Sequence, residues 1–276
     1  MPELPEVEHV ANALGSAIAG RIIANAELLR QKLAPDISPA SFAKKLSGSS
    51  ISSVRRRGKR ILVDLDNGLT LIVHLRMSGR FMLLTQDDND PRFTHAVFHF
   101  TDQSRLVFQD QRHFGLMKIA RTEKLSEVRE LSKLAPEPFS EDFTHDYFRS
   151  ALRSSNRVLK ELLLDQTKVC GVGNIYASEV LFLSAISPKR RGRNLSGPRT
   201  KLLYDNIRLV LAEAVELLSS IVPDRVVIGE GVYGNGADHG WRVYDREGEE
   251  CPRCSSVIKR IRQGARSTYY CPKCQR

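Results

Sequence analysis

Ile61-Leu62-Val63-Asp64-Leu65-Asp66-Asn67-Gly68-Leu69-Thr70-Leu71-Ile72-Val73 decides the fold of the N-terminal half. Two apolar runs of strand length flank Asp66-Asn67-Gly68. Asn-Gly between such runs signals a tight antiparallel hairpin, because both residues tolerate positive φ. Further along, Ala96–Phe100 and Arg105–Phe108 flank Thr101–Ser104, which predicts a second hairpin. The stretch from Arg21 to about Ala120 reads as a series of short strands, so an antiparallel sandwich or barrel is expected. Ahead of it, Val7, Val10, Ala11, Leu14, Ala17 and Ile18 recur at helical spacing, and Gly20 stops that helix. Behind it, Ala135-Pro136-Glu137-Pro138 makes a rigid linker and a domain boundary. The pattern then turns helical over Tyr147–Arg153, Val158–Leu164, Ile175–Leu183 and a long amphipathic stretch, Pro198–Ile221. Gly229–Gly240 is glycine-rich and is expected to be a mobile loop. The class is α+β and multidomain.

The chain has 276 residues, 41% hydrophobic and 27% charged, as in a globular protein with a sizeable core. Its net charge of +10 favours a polyanionic partner, most simply nucleic acid. No apolar run reaches the ~18 residues that a membrane span needs. The acidic, proline-bearing N-terminus is unlike a signal peptide, so the cytoplasm is the expected compartment. Cys170 stands alone and reads as a small buried apolar residue. No dimer seam is visible, and a monomer is expected.

The other four cysteines form Cys251-Pro-Arg-Cys254 and Cys271-Pro-Lys-Cys274, separated by sixteen residues. Paired C-x-x-C knuckles place four thiolates around one structural Zn2+, with no position left open for catalysis. Val257–Ile261 and Ser267–Tyr270 between them read as a hairpin. Cys251–Arg276 holds seven Lys/Arg and no acid, a composition suited to phosphate. A protein-docking ribbon is the other reading.

Three further segments carry chemistry. At the start, Met1-Pro2-Glu3-Leu4-Pro5-Glu6 permits removal of Met1, which would expose the secondary amine of Pro2. α-Amino groups titrate near ~8, so part of the population is nucleophilic at neutral pH. Glu3 beside it is a candidate general acid, and the pair suits Schiff-base catalysis. The plainer reading is a helix start, with proline and acidic residues in its first turn. Retained Met1 would make the Pro2 nitrogen an amide and end the nucleophile reading. Arg55-Arg56-Arg57-Gly58-Lys59-Arg60 precedes a strand and offers Lys59 as a phosphate or proton-transfer group, or else a solvated basic loop. Lys168–Asn174 places Gly171 and Gly173 before a helix, a candidate phosphate site. Met77, in a segment read as a hairpin turn, and Arg112 with Phe114, at another strand end, are suited to wedging open a base stack.

Taken in order, these segments resemble the formamidopyrimidine-DNA glycosylases of bacterial base-excision repair. The matching motifs are Pro2-Glu-Leu-Pro-Glu6, Arg57-Gly-Lys59-Arg60, His74-Leu-x-Met77-Ser-Gly79, Asp110-x-Arg112-x-Phe114-Gly115, Gly171-Val-Gly-Asn174-Ile-Tyr-Ala-Ser-Glu179, and the four-cysteine finger with Arg266 inside it. The resemblance implies an N-terminal antiparallel β-sandwich with flanking helices (1–134), a helix–two-turn–helix domain (135–228) and a zinc finger (240–276), with 229–239 as the glycine-rich loop and damaged double-stranded DNA in the cleft. It further implies roles. Pro2 would attack C1′, Glu3 would supply the proton for ring opening and base loss, Lys59 would act in β-elimination and Arg266 in δ-elimination. Asn174, His74 and His95 would contact DNA, while Met77, Arg112 and Phe114 would fill the space left by the flipped base. Against the family pattern, the chain has Phe93 and Ser155 where a histidine and a lysine are usual, His113 in place of an arginine, and a shorter Gly229–Gly240 loop. Leu4 favours this branch over the endonuclease VIII branch, where glycine is typical. A non-catalytic lesion-binding protein and a zinc-ribbon RNA-binding protein are the remaining alternatives, and neither accounts for the N-terminus.

Overall fold

The computed structural model describes residues 1–221, 226–228 and 240–276, so the predicted glycine-rich loop, apart from Gly240, lies outside the described residues. The chain divides into two units, Met1–Ser132 with Leu217–Ala237, and Lys133–Glu216 with Asp238–Arg276.

The first unit opens with helix α1 (Leu4–Ile18). Its start is fixed by a capping box, in which the Glu3 N–H donates to Glu6 Oε2 at 2.7 Å and the Glu3 carboxylate accepts the Glu6 N–H. Pro5 fits the first turn, where a missing N–H costs nothing. One face of α1, carrying Val7, Val10, Ala11, Leu14 and Ile18, is buried in the core. The strands are β1 (Ile23–Leu28), β2 (Ile51–Arg57), β3 (Arg60–Leu65), β4 (Leu69–His74), β5 (Gly79–Leu84), β6 (Thr94–Phe100), β7 (Arg105–Asp110), β8 (Leu116–Arg121) and β9 (Val227–Ile228). Helices α2 (Pro39–Leu46) and α3 (Arg129–Ser132) lie between them in sequence.

Two separate antiparallel sheets result, ordered β1-β6-β7-β5-β9 and β2-β3-β4-β8, so of the two expected forms the fold is a sandwich. Ile61, Val63, Leu71 and Val73 from one sheet join Phe81, Phe98, Leu106 and Phe108 from the other in a single core. Both predicted hairpins are present. Gly68 has φ +76°, and the Leu69 N–H donates to Asn67 Oδ1 at 3.1 Å, which closes the β3–β4 turn. In the β6–β7 turn Gln103 takes φ +68°.

One expectation is corrected. Met77 does not sit in a hairpin, because β4 and β5 belong to different sheets. The segment turns the corner from one layer to the other. The Asp110–Gly115 segment makes the reverse crossing, from β7 to β8.

The second unit contains α4 (His145–Arg153), α5 (Leu159–Leu164), α6 (Asn174–Leu183), most of α7 (Gly197–Ser219), and the hairpin β10 (Lys259–Gln263) and β11 (Arg266–Tyr270). Thr144 caps α4 by accepting the Tyr147 N–H at 3.0 Å. Helix α6 is buried from Tyr176 through Phe182, as a helix apolar on every side must be. Its one buried acid, Glu179, accepts the backbone N–H groups of Arg242, Val243 and Tyr244, each at 2.9 Å. That anchors the segment leading into the finger, whose core of Val243, Ile258 and Tyr269 packs with Phe182 of α6. Cys170 is fully buried, as its isolation in the sequence suggested.

Candidate active site and nucleic-acid interface

Pro2 is buried and Glu3 is only 2% exposed, so the first catalytic candidates sit in the protein body rather than on a loose end. Lys59 is 5% exposed, which sets aside the solvated-loop reading. It occupies the second position of a two-residue hairpin between Arg57 and Arg60, with Gly58 at φ +60° in the first. Arg55 to Arg57 belong to strand β2 itself. Arg56 ties this turn to α1, its Nε donating to Glu8 Oε2 at 2.5 Å and its Nη1 to the Gly58 carbonyl at 3.0 Å. Register carries the arrangement across the sheet. Ile61 faces Val73, and His74 faces Leu116, so Lys59, His74 and Arg76 gather at one end of the four-stranded layer.

His74 is pushed down to about 3, first by burial and then by the charges of Arg76, Arg60 and Lys59. Its Nδ1 accepts the Arg76 N–H at 3.1 Å. The ring is therefore neutral near pH 7 and offers hydrogen bonding rather than charge. His9 is lowered too, by burial, against a hydrogen bond to the Leu218 backbone that raises it. With both folded values below the unfolded 6.5, the unfolded chain binds more protons as the pH drops under that value. Stability is full above pH ~6.5 and is lost as the pH falls toward the folded values. The melting temperature should therefore decline between pH 7 and 5, before most carboxylates titrate. His74→Gln should flatten that decline, and an unchanged slope in this variant would show that His74 is not its source.

The two inter-sheet crossings bring the wedge candidates together. Met77 is 43% and Phe114 52% exposed, an unusual placement for large apolar side chains on a turn. The Arg112 guanidinium lies over the Phe114 ring, 5.4 Å from its centroid. His95 is buried, and its Nε2 hydrogen-bonds Nδ1 of the exposed His113 at 2.8 Å, so it stands behind His113 rather than at the surface. Phe93 meets the edge of the same His113 ring at 5.6 Å.

In the second unit the glycine segment before α6 is stapled by Gln166, which accepts the Gly171 N–H at 3.0 Å and donates to the Val172 carbonyl at 2.8 Å. Asn174 opens α6, and its Nδ2 donates to the Ser267 carbonyl at 3.0 Å. Arg266, the neighbour of Ser267, is exposed and begins β11 after the two-residue turn Gly264-Ala265. The structure therefore joins Asn174 to the finger beside Arg266, two residues that sequence spacing left unrelated. Lys160 escaped the sequence reading. It is 1% exposed, and its Nζ donates to the Asn174 carbonyl at 2.7 Å and to Ser178 Oγ. While Ser155 holds the Arg157 backbone, Lys160 places an ammonium at the first turn of α6. A lysine inside the apolar run Leu159–Leu164 was the one available signal.

The Sγ atoms of Cys251, Cys254, Cys271 and Cys274 all lie within 4.8 Å of one another. Cys254 and Cys271 are 3.6 Å apart, and Cys251 and Cys274 3.9 Å. Tetrahedral Zn–S bonds of about 2.3 Å require S···S separations near 3.8 Å, so the four thiolates fit zinc. Backbone N–H groups of Arg253 and Cys274 donate to Cys251 and Cys271 sulfurs at 3.4 Å, which orients both sulfurs within the cluster.

Family comparison agrees with this arrangement. Residues 1–117 match the formamidopyrimidine-DNA glycosylase N-terminal domain, 134–225 its H2TH domain, and 248–276 the zinc finger found in FPG and IleRS. The chain is similar to the formamidopyrimidine-DNA glycosylases of Ruegeria pomeroyi, 41% identical over the whole of both proteins, and of Pelotomaculum thermopropionicum, 38% identical over 100% and 99%. Among solved structures it resembles the Lactococcus lactis Fpg bound to abasic-site DNA, with TM-score 0.90, 35% identity and 99% of each chain covered. The same L. lactis protein has been solved with DNA containing an oxidised pyrimidine, at TM-score 0.89, 34% identity and the same coverage. With all three domain types in order along its length, this chain belongs to the formamidopyrimidine-DNA glycosylase family.

Proposed function

We propose that this DNA glycosylase and AP lyase of base-excision repair removes oxidised purines, 8-oxoguanine and formamidopyrimidines, through a Schiff base on Pro2. The supporting observation is that Pro2 and Glu3 are buried at a helix start where Glu3 is fixed by reciprocal bonds with Glu6. A nucleophile and an acid held in place gain from proximity what a mobile terminus would lose.

With Met1 removed, the Pro2 nitrogen forms a bond to C1′ of the damaged nucleotide. The glycosidic bond breaks, and the base leaves with its electron pair and a proton. Glu3 protonates the sugar ring oxygen, the ring opens, and the C1′–N bond becomes an iminium. Because Pro2 is a secondary amine, that iminium is cationic at every pH and draws electrons from C2′. Lys59 assists loss of the C2′ proton, and the 3′ C–O bond breaks with the phosphate as leaving group. Arg266 steadies the phosphate in the second, δ-elimination. Asn174 and His74 hold backbone phosphate, and Arg112 reads the orphaned base while Met77 and Phe114 fill its partner's place. Zinc, held by the four cysteines, keeps the finger folded and takes no part in the chemistry. A basic chain working on chromosomal DNA belongs in the cytoplasm with the nucleoid. No helix among the described residues is long and apolar enough to cross a membrane.

Borohydride trapping on duplexes containing 8-oxoguanine opposite cytosine, an oxidised pyrimidine, or an abasic site tests this reading. An adduct with the 8-oxoguanine duplex is expected. An adduct confined to the pyrimidine or abasic duplex would overturn the purine preference, and none with any duplex would overturn the Schiff base.

A further inference from the structure

We propose that Asp110 is a positioning residue that clamps the two inter-sheet crossings into one rigid wedge, and so couples Met77 to Arg112 and Phe114 during lesion search. This rests on the reading of those three side chains as DNA-inserting.

Asp110 is 0% exposed, yet it carries a carboxylate. Its Oδ1 accepts from Ser78 Oγ and from the Arg112 N–H at 3.2 Å, and its Oδ2 accepts the Gly115 N–H at 2.7 Å. Ser78 Oγ in turn accepts the Arg112 N–H at 3.1 Å. One side chain thus holds a residue beside Met77, the backbone of Arg112 and the residue after Phe114. The Asp110 N–H donates to the Phe93 carbonyl at 3.1 Å, which brings in a third segment.

The backbone around this carboxylate is strained. Arg76, Phe93 and His113 have φ of +58°, +69° and +60°. Non-glycine residues rarely adopt that region and persist there only where neighbouring contacts enforce it. Arg76 precedes Met77, and His113 separates Arg112 from Phe114, so the strain lies in the parts that aim the wedge. The packing leaves no slack. A Cβ on Gly79 would stand 2.6 Å from the Leu75 carbonyl oxygen, and one on Gly115 2.8 Å from the Phe108 ring. The glycines let both crossings close onto Phe108, and Asp110 fixes them there. A wedge whose three tips are set by one buried group enters a base stack without first ordering itself, which spares part of the entropy cost of insertion.

The test is Asp110→Asn, which keeps the shape but turns one acceptor oxygen into a donor facing N–H groups. Ser78→Ala is the milder companion should the first variant fold poorly, as judged by its melting curve. Three readouts are compared with wild type: single-turnover excision from an 8-oxoguanine duplex, fluorescence of a 2-aminopurine placed beside the lesion, which reports unstacking, and borohydride trapping on a pre-formed abasic site. A misplaced positioning group costs on the order of 100-fold. We expect excision to fall by about that factor and the unstacking signal to fall with it, while trapping on a pre-formed abasic site falls far less. A merely structural role would lower all three together. Excision and unstacking at wild-type levels in a folded variant would overturn the proposal. Phe114→Ala and Met77→Ala separate the two layers of inference. If they also leave unstacking intact, the wedge reading itself falls. If they abolish it while Asp110→Asn does not, only the clamp falls.

Discussion

Blocking the Pro2 nitrogen with an N-terminal extension that survives processing is expected to abolish the borohydride adduct with damaged DNA. Pro2→Gly is expected to lower single-turnover excision about 100-fold or more. An acylated nitrogen has no lone pair available for C1′, so the first outcome follows from the nucleophile alone. The second follows from the kind of amine. Glycine supplies a primary amine, whose imine must gain a proton to become an electron sink. It also lacks the ring that fixes φ and fills the buried space ahead of α1. Glu3 stays capped in either protein through its bonds with Glu6, so the fold should be retained. The measurement is adduct yield on protein whose intact mass defines its first residue. Full yield from protein shown to carry the extension would remove Pro2 from the reaction.

Cys254→Ser, or removal of zinc by a chelator, is expected to unfold the finger and to weaken duplex binding by about 100-fold or more. Structural zinc in small fingers contributes roughly 10–16 kcal/mol of apparent binding free energy, which here is folding free energy of the last residues. Cys251 and Cys271 belong to the same apolar cluster as Val243, Ile258, Tyr269 and Phe182, so loss of the metal opens that cluster. The hairpin that presents Arg266 loses its support, and Asn174 loses the Ser267 carbonyl to which it donates. Zinc content by elemental analysis and duplex affinity by titration check this together. A variant with less than one zinc per chain that binds DNA as wild type does would refute it.

Local chemistry made much of the molecule legible. Asn67-Gly68 announced the β3–β4 hairpin because its turn closes within the turn itself. Val7 to Ile18 announced α1 because one helical face must be apolar. The cysteine pairs announced the metal site because four thiolates at that spacing have few other uses. What escaped depends on distant partners. The Met77 turn looked like a hairpin, since nothing in His74–Gly79 tells whether the next strand pairs with β4 or crosses to β7. Asp110 and Glu179 stood in motifs without a role of their own, and Lys160 drew no reading. Each is buried on a partner that only the fold supplies: Ser78 Oγ, 32 residues from Asp110, the Asn174 carbonyl for Lys160, and the N–H groups of residues 242–244 for Glu179. The association of Asn174 with the finger is likewise a contact across 93 residues of chain.

Lys59 and Arg266 share a local setting. Each sits on or directly after a two-residue turn whose first member is a glycine at positive φ, Gly58 at +60° and Gly264 at +57°. Such a turn tolerates no change of length. One residue added or removed shifts the register of the flanking strands and sends alternate side chains to the opposite face. A relative that keeps both cations at these positions is therefore expected to keep the length of both turns. Length variation must collect elsewhere, which makes these two turns fixed rulers against which divergent relatives can be aligned.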